Sequence, residues 1–184
     1  PVSIHLHKII PAGSGLGGGS ADAAFTLKGL NIFFNLKISD PELIKLALML
    51  GSDCAFFIKN SACIVKGRGE IFVELEDTIF PYFVTIVYPS LKISTAGAYK
   101  DVYLHNKEIL LSNKIKEPLK MWRNCIENDF DKSLSKKYPE LVEIKKKLYD
   151  IGAEYVSLSG SGSAIYALSY IPISFTNIFS SEFL

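Results

Sequence analysis

Pro11-Ala12-Gly13-Ser14-Gly15-Leu16-Gly17-Gly18-Gly19-Ser20-Ala21 carries five glycines in eleven residues. Immediately upstream, Val2, Ile4 and Leu6 alternate with Ser3, His5 and His7, a period that predicts a strand. Downstream, Ala23, Ala24, Leu27, Leu30 and Phe34 fall on one stripe and predict a helix over Ala21–Phe34. The stretch therefore reads as a loop delivering a strand into a helix. Glycine lets a backbone approach a ligand closely and adopt positive φ. The first N–H groups of a helix lack internal partners, and the helix dipole is positive there. Together these make an anion site, with phosphate the usual anion.

Several loop chemistries share that description. A Walker A loop ends in Gly-Lys-Ser/Thr, and Gly18-Gly19-Ser20 has no lysine. Gly13, Gly15 and Gly18 match the Gly-x-Gly-x-x-Gly of a dinucleotide loop, which also wants an acidic residue about 20 positions on. Asp40 lies at that distance, but Asp40-Pro41 reads better as an N-cap followed by proline at the first helical position. A purely structural turn is the plainest alternative. Against it, five glycines carry an entropy cost that a mere turn does not require.

Composition narrows the class. The 184 residues are 48% apolar and 21% charged, as in a globular chain of one large or two small domains. The net charge of +1 does not suggest nucleic-acid binding. No apolar run reaches the length that spans a bilayer, and no secretion signal opens the chain, so no membrane is expected as a partner. Cys54, Cys63 and Cys125 form neither a metal pattern nor a disulfide framework. They read as reduced, buried thiols of a cytoplasmic protein, or of the plastid stroma in a plastid-bearing organism. His5, His7 and His105 are not a metal set either. The chain opens on Pro1 with a strand pattern already running, which suggests that an N-terminal segment precedes it.

Further along, Pro41–Leu50 reads as a helix with Leu43, Leu46, Ala47 and Leu50 inward and Gly51 at its end. Gly51-Ser52-Asp53-Cys54-Ala55-Phe56-Phe57 then sets one carboxylate before an apolar run. Asp53 either caps a short helix or is a catalytic carboxylate in a partly dry setting. Ser61–Leu75 reads as two strands around Gly67-Arg68-Gly69-Glu70. Asp77-Thr78 to Pro81 looks like a domain boundary, giving domains 1–78 and 79–184. Tyr82–Tyr88 reads as a strand, and Asn106–Glu117 as a polar surface connection. Pro118–Glu127 reads as a short helix. Pro139 opens a helix with Leu141, Ile144, Leu148 and Ile151 inward and Gly152 just past its end. Tyr155–Leu158 and Ala164–Tyr170 read as strands flanking Ser159-Gly160-Ser161-Gly162-Ser163, a second glycine-serine loop.

Three of these stretches, Pro11–Ala21, Gly51–Phe57 and Ser159–Ser163, resemble in order the motifs of the GHMP kinases, which phosphorylate small-molecule alcohols. Ala55 stands where that family usually has proline. The triple glycine, Gly67-Arg68-Gly69-Glu70 and Ser94-Thr95 with Tyr99 are most similar to one branch. Its alcohol substrate carries a cytidine diphosphate, and it serves the non-mevalonate route to isoprenoids. The resemblance implies an α+β GHMP kinase fold: a partial ribosomal-protein-S5-like N-terminal subdomain, incomplete here, and a ferredoxin-like C-terminal subdomain. It implies ATP on the amides of Pro11–Ala21, Mg²⁺ with Ser20 as a possible contact, and Asp53 as catalytic residue. Lys8, Thr95, Tyr99, Gly160, Ser161 and Gly162 become candidate nucleotide or substrate contacts, Tyr99 by stacking on cytosine. Asn128-Asp129-Phe130-Asp131 resembles a family element that supports the C-terminal subdomain. A sibling kinase with another alcohol, or an inactive nucleotide-binding fragment, are the rival readings. Oligomeric state is not legible.

Overall fold

A computed structural model describes residues 2–75, 81–89, 91–100, 102 and 111–173. The chain divides into two compact units: the described residues of Gly17–Ile79, and those of Pro1–Leu16 with Phe80–Leu184. The expected boundary at Asp77-Thr78, His105, and Asn106–Leu110 of the polar connection lie outside the described residues.

In the smaller unit, α1 (Gly18–Phe33), α2 (Asp40–Leu50) and α3 (Cys54–Lys59) pack together, followed by β1 (Cys63–Lys66) and β2 (Ile71–Glu74). Ala24, Leu43, Ala47, Cys54 and Ile58 form the core, and α2 turns Leu43 and Ala47 inward while Leu46 and Leu50, expected inward, are exposed. Phe34, expected on the buried stripe, is half exposed beyond the end of α1. Asp40 is not the cap of α2. Ser39 is, because the Ser39 and Glu42 side chains satisfy each other's backbone N–H in a capping box, leaving Asp40 and Pro41 in the first turn. Asn31 ties the α1–α2 connection, donating to the Ile38 carbonyl and accepting from its N–H. Strands β1 and β2 form the expected hairpin, with Lys66 opposite Ile71 across Gly67–Glu70.

The larger unit holds β3 (Phe83–Val87), α4 (Thr95–Lys100), α5 (Leu111–Lys114), α6 (Leu119–Cys125), α7 (Asp131–Lys137), α8 (Pro139–Asp150), β4 (Tyr155–Leu158) and β5 (Ile165–Ser169). Its antiparallel sheet has the order β3-β5-β4, with β5 central. Helix α8 packs on β4 and β5 through Leu141, Ile144 and Leu148, all buried. Each such side chain contributes roughly 1.5–3 kcal/mol by leaving water. The pairing of Leu158 with Ile165 brings the two strand ends side by side, so the glycine-serine loop turns tightly between them.

Helices and antiparallel sheets make the class α+β, as expected. A further expectation fails. Val2–Ile9 is not a strand, and Val2, Ile4 and Leu6 are about half exposed. Alternation marks which side chains a strand would bury, but a strand exists only when a neighbour takes its backbone hydrogen bonds. Among the described residues none does so for this run. The cysteines are free as expected, but only Cys54 is buried, while Cys63 and Cys125 are partly exposed.

Candidate active site

Helix α1 begins at Gly18, three residues earlier than its apolar stripe predicts, so two of the three consecutive glycines lie in its first turn. Gly17 is the N-cap, at φ 71°, and offers no side chain to the helix. The amides of Gly18, Gly19 and Ser20 belong to the first turn and have no intrahelical acceptor. A Cβ placed on Gly19 meets nothing within 4 Å, so this helix end is open to a ligand.

Helix α3 lies against the same end. The Phe57 ring comes within 2.9 Å of where a Gly17 Cβ would sit, which restricts that position to glycine. Asp53 precedes α3 one helical turn before Phe57, and that turn spans about 5.4 Å. Asp53 is exposed, not partly dry, and its carboxylate makes no capping bond, so the plain capping role is not filled. The β1–β2 turn holds this carboxylate's own turn from behind. Gly69, at φ 106°, packs so closely that a Cβ would lie 2.1 Å from the Ser52 carbonyl oxygen. Gly67-Arg68-Gly69-Glu70 therefore also positions the residue next to Asp53.

In the larger unit the first loop's Ser14-Gly15 meets the second loop. The Ala164 N–H donates to the Ser14 carbonyl at 2.9 Å, and the Ser159 hydroxyl donates to the Gly15 carbonyl at 2.8 Å. A Cβ on Gly15 would stand 2.3 Å from the Ser159 oxygen and 2.7 Å from the Gly162 oxygen. Gly15 is thus glycine for contact as well as for its φ of 84°. The Ser161 hydroxyl reaches Thr95 Oγ1 at 3.4 Å, joining two of the candidate contacts. Tyr99 is 66% exposed and stands edge-on to Phe130, with ring centroids 5.0 Å apart. It is not a core tyrosine, and most of its surface is available. Lys8 is exposed ahead of the first loop. Ser163 is fully buried, and its hydroxyl has no hydrogen-bond partner among the described residues.

The sequence places Asn128 only in an element resembling a support of the C-terminal subdomain, and gives no sign of its contact with the second loop. Its amide holds the second loop by two hydrogen bonds, at a sequence distance where no local pattern could announce it. A cavity of about 1120 Å³ lies in the same unit, lined by Arg123, Asn128, Asp131, Lys145 and Tyr149 among others. None of the sequence-predicted contact residues lines it, so size alone does not mark the chemistry. Among the described residues no three His, Cys, Asp or Glu side chains cluster as a metal site.

The arrangement is that of an α+β protein with a glycine-lined loop, a helix start open to an anion, and a carboxylate on a neighbouring helix. Family comparison agrees with that class. The N-terminal domain model of the GHMP kinases matches residues 1–61, and the C-terminal model matches residues 108–170. A 4-diphosphocytidyl-2-C-methyl-D-erythritol kinase of Azobacteroides pseudotrichonymphae is 42% identical over 187 residues, covering 100% of this chain and 70% of its own length. The protein of the same name from Bacteroides fragilis strain YCH46 is 46% identical over 168 residues, covering 91% of this chain and 61% of its own. A crystal structure of 4-(cytidine 5'-diphospho)-2C-methyl-D-erythritol kinase superposes with a TM-score of 0.66 at 31% identity, covering 88% of this chain and 59% of that one. A homoserine kinase from Cytophaga hutchinsonii, at 21% identity and a TM-score of 0.65 over 89% of this chain and 58% of that one, shares the fold. The chain belongs to the GHMP kinase family. It spans about three fifths of the length of the first curated relatives it matches.

Among the described residues no helix is long and apolar enough to cross a membrane.

Proposed function

We propose that this chain is part of a kinase that transfers the γ-phosphoryl group of ATP to the 2-hydroxyl of 4-diphosphocytidyl-2-C-methyl-D-erythritol, a step of the non-mevalonate route to isoprenoids. Residues 1–78 would belong to its N-terminal subdomain and 79–184 to its C-terminal one. The observation that carries the reading is Gly15, packed against Ser159 and Gly162 too closely for any other residue. Two glycine loops that are separately weak signals form one backbone surface there. The relatives' shared name supports the substrate.

In this reading the amides from Gly15 to Ser20 hold the triphosphate and stabilise the charge that develops during transfer. Open space at Gly13 and Gly19 leaves room for phosphate oxygens against the backbone. Asp53 accepts the proton of the substrate hydroxyl, or orients that hydroxyl, as its oxygen bonds to the transferred phosphorus and ADP departs. Tyr99 offers an exposed ring for the cytosine, a stack worth about 1–3 kcal/mol. Thr95 and Ser161, already in contact, line the same neighbourhood. Mg²⁺ would neutralise phosphate charge there, and Ser20 would be the residue of this chain to hold it, since magnesium is usually bound by few protein oxygens together with substrate phosphates and water.

The test is ATP-dependent phosphorylation of diphosphocytidyl-methylerythritol by this chain and by a form extended to the length of its relatives. Asp53→Asn in whichever form turns over lowers the rate by on the order of 10²–10⁴-fold. Transfer to a different alcohol, or a rate indifferent to Asp53, overturns the assignment.

A further inference from the structure

We propose that Asn128 is the positioning residue of the second glycine loop, and through it of Gly15 in the first. The inference rests on the nucleotide-binding reading above for its functional consequence. Its structural half stands without that reading.

Asparagine offers two side-chain N–H donors and one carbonyl acceptor. Here all three functions are spent on backbone. Nδ2 donates to the Leu158 carbonyl at 3.0 Å and to the Gly160 carbonyl at 2.9 Å. Oδ1 accepts the Phe130 N–H at 2.9 Å. The amide orientation follows from these partners, since the flipped form would set oxygen against two carbonyls and N–H₂ against an N–H. The two carbonyls flank Ser159, the residue whose hydroxyl and carbonyl both meet Gly15. Asn128 thus grips the loop on either side of the residue that touches the first loop.

The grip has a fixed base. The Asp131 N–H donates to the Asn128 backbone carbonyl at 2.9 Å, and the bond from Phe130 closes an Asx turn just ahead of α7. Phe130 in turn faces Tyr99. One side chain therefore sets both the loop beside Gly15 and the turn carrying the ring that Tyr99 leans on. No other residue type can replace it. Aspartate keeps the acceptor but presents a carboxylate to two carbonyls. Alanine abandons all three bonds, and glutamine places the amide one methylene too far out.

The experiment compares the full chain with Asn128→Ala and Asn128→Asp, the latter keeping the Asx turn and losing only the grip. Amide hydrogen exchange is followed at Gly162 and Ala164, whose N–H groups bond Ser159 and Ser14. Both variants are expected to exchange at least 10-fold faster at these two amides, with α8 unchanged. ATP binding, read by calorimetry, is expected to weaken by on the order of 10–100-fold, because small misplacements of a positioned group are costly. Unchanged exchange at the loop overturns the proposal outright. Faster exchange with unchanged ATP affinity overturns its functional half. If the unaltered chain binds no ATP, the nucleotide reading fails, while the exchange result still decides whether Asn128 holds the loop.

Discussion

Gly15 allows the contact between the two loops to be weighed. Replacing it with alanine imposes two separable penalties. The first is conformational, since φ is 84°, and an L-residue in the left-handed region costs about 1–2 kcal/mol. The second is steric. The new Cβ would lie 2.3 Å from the Ser159 oxygen and 2.7 Å from the Gly162 oxygen, both backbone atoms with no rotamer to escape into. Overpacking of that kind costs typically about 1–3 kcal/mol. Gly13 provides the control. It lies in the same loop at φ 77°, yet a Cβ there meets nothing within 4 Å. Gly13→Ala should therefore pay only the first penalty, and Gly15→Ala both.

The difference between the two variants isolates the loop–loop contact. Trp122, the single tryptophan, lies in α6 of the larger unit and packs edge-on against Tyr155 at 5.7 Å. Its fluorescence reports unfolding of the unit that contains both glycines. At about 3 °C per kcal/mol, the steric share lowers the midpoint of Gly15→Ala by roughly 3–9 °C relative to Gly13→Ala. Equal midpoints would refute the reasoning, because they would mean that the second loop does not press on Gly15.

Gly69→Ala should destabilise the smaller unit by about 2–5 kcal/mol in far-UV circular dichroism, through left-handed strain plus overlap with the Ser52 oxygen. Gly67→Ala should cost less, because its Cβ meets only the end of the Glu70 side chain, which can turn away at the cost of its hydrogen bond from the Arg68 N–H. Equal losses for the two would remove the β1–β2 turn as a support for the Asp53 turn. Ser39→Ala should cost about 1 kcal/mol of the stability of α2, read by denaturant titration. The bond from the Ser39 hydroxyl, aided by the Ser39 N–H, holds Glu42 below its ordinary value of 4.5. This contribution is complete above pH 4.5 and is lost as pH falls through the lowered value, so acid should narrow the difference between Ser39→Ala and the unaltered chain, leaving the share that comes from the Ser39 side chain on the Glu42 N–H. A difference of the same size at low and neutral pH would refute the bond between Ser39 and the Glu42 carboxylate.

The candidate site was legible in the sequence to the extent that its geometry depends on what a single residue lacks. Gly15 and Gly17 are glycines because Ser159 and Phe57 leave no volume for a Cβ, and a cluster of glycines stands out in any chain. The start of α1 was misplaced for a related reason. Glycine carries no apolar stripe, so periodicity sees the helix only from its first packed side chains, although Gly18 and Gly19 already have helical geometry. Val2–Ile10 shows the opposite error, since a strand is a property of a pair and one run of residues displays only half of it. Asn128 shows why the partners of a positioning residue escape notice even when the stretch that carries it resembles a family element. It is an ordinary turn-former by type, and its partners Leu158 and Gly160 are 30 and 32 residues away. Its significance arises only once β4 and β5 have paired and presented the second loop. Residues selected for absence of volume can therefore be read one at a time. Residues selected for hydrogen bonds across the fold become visible only after the strands that carry their partners have been placed.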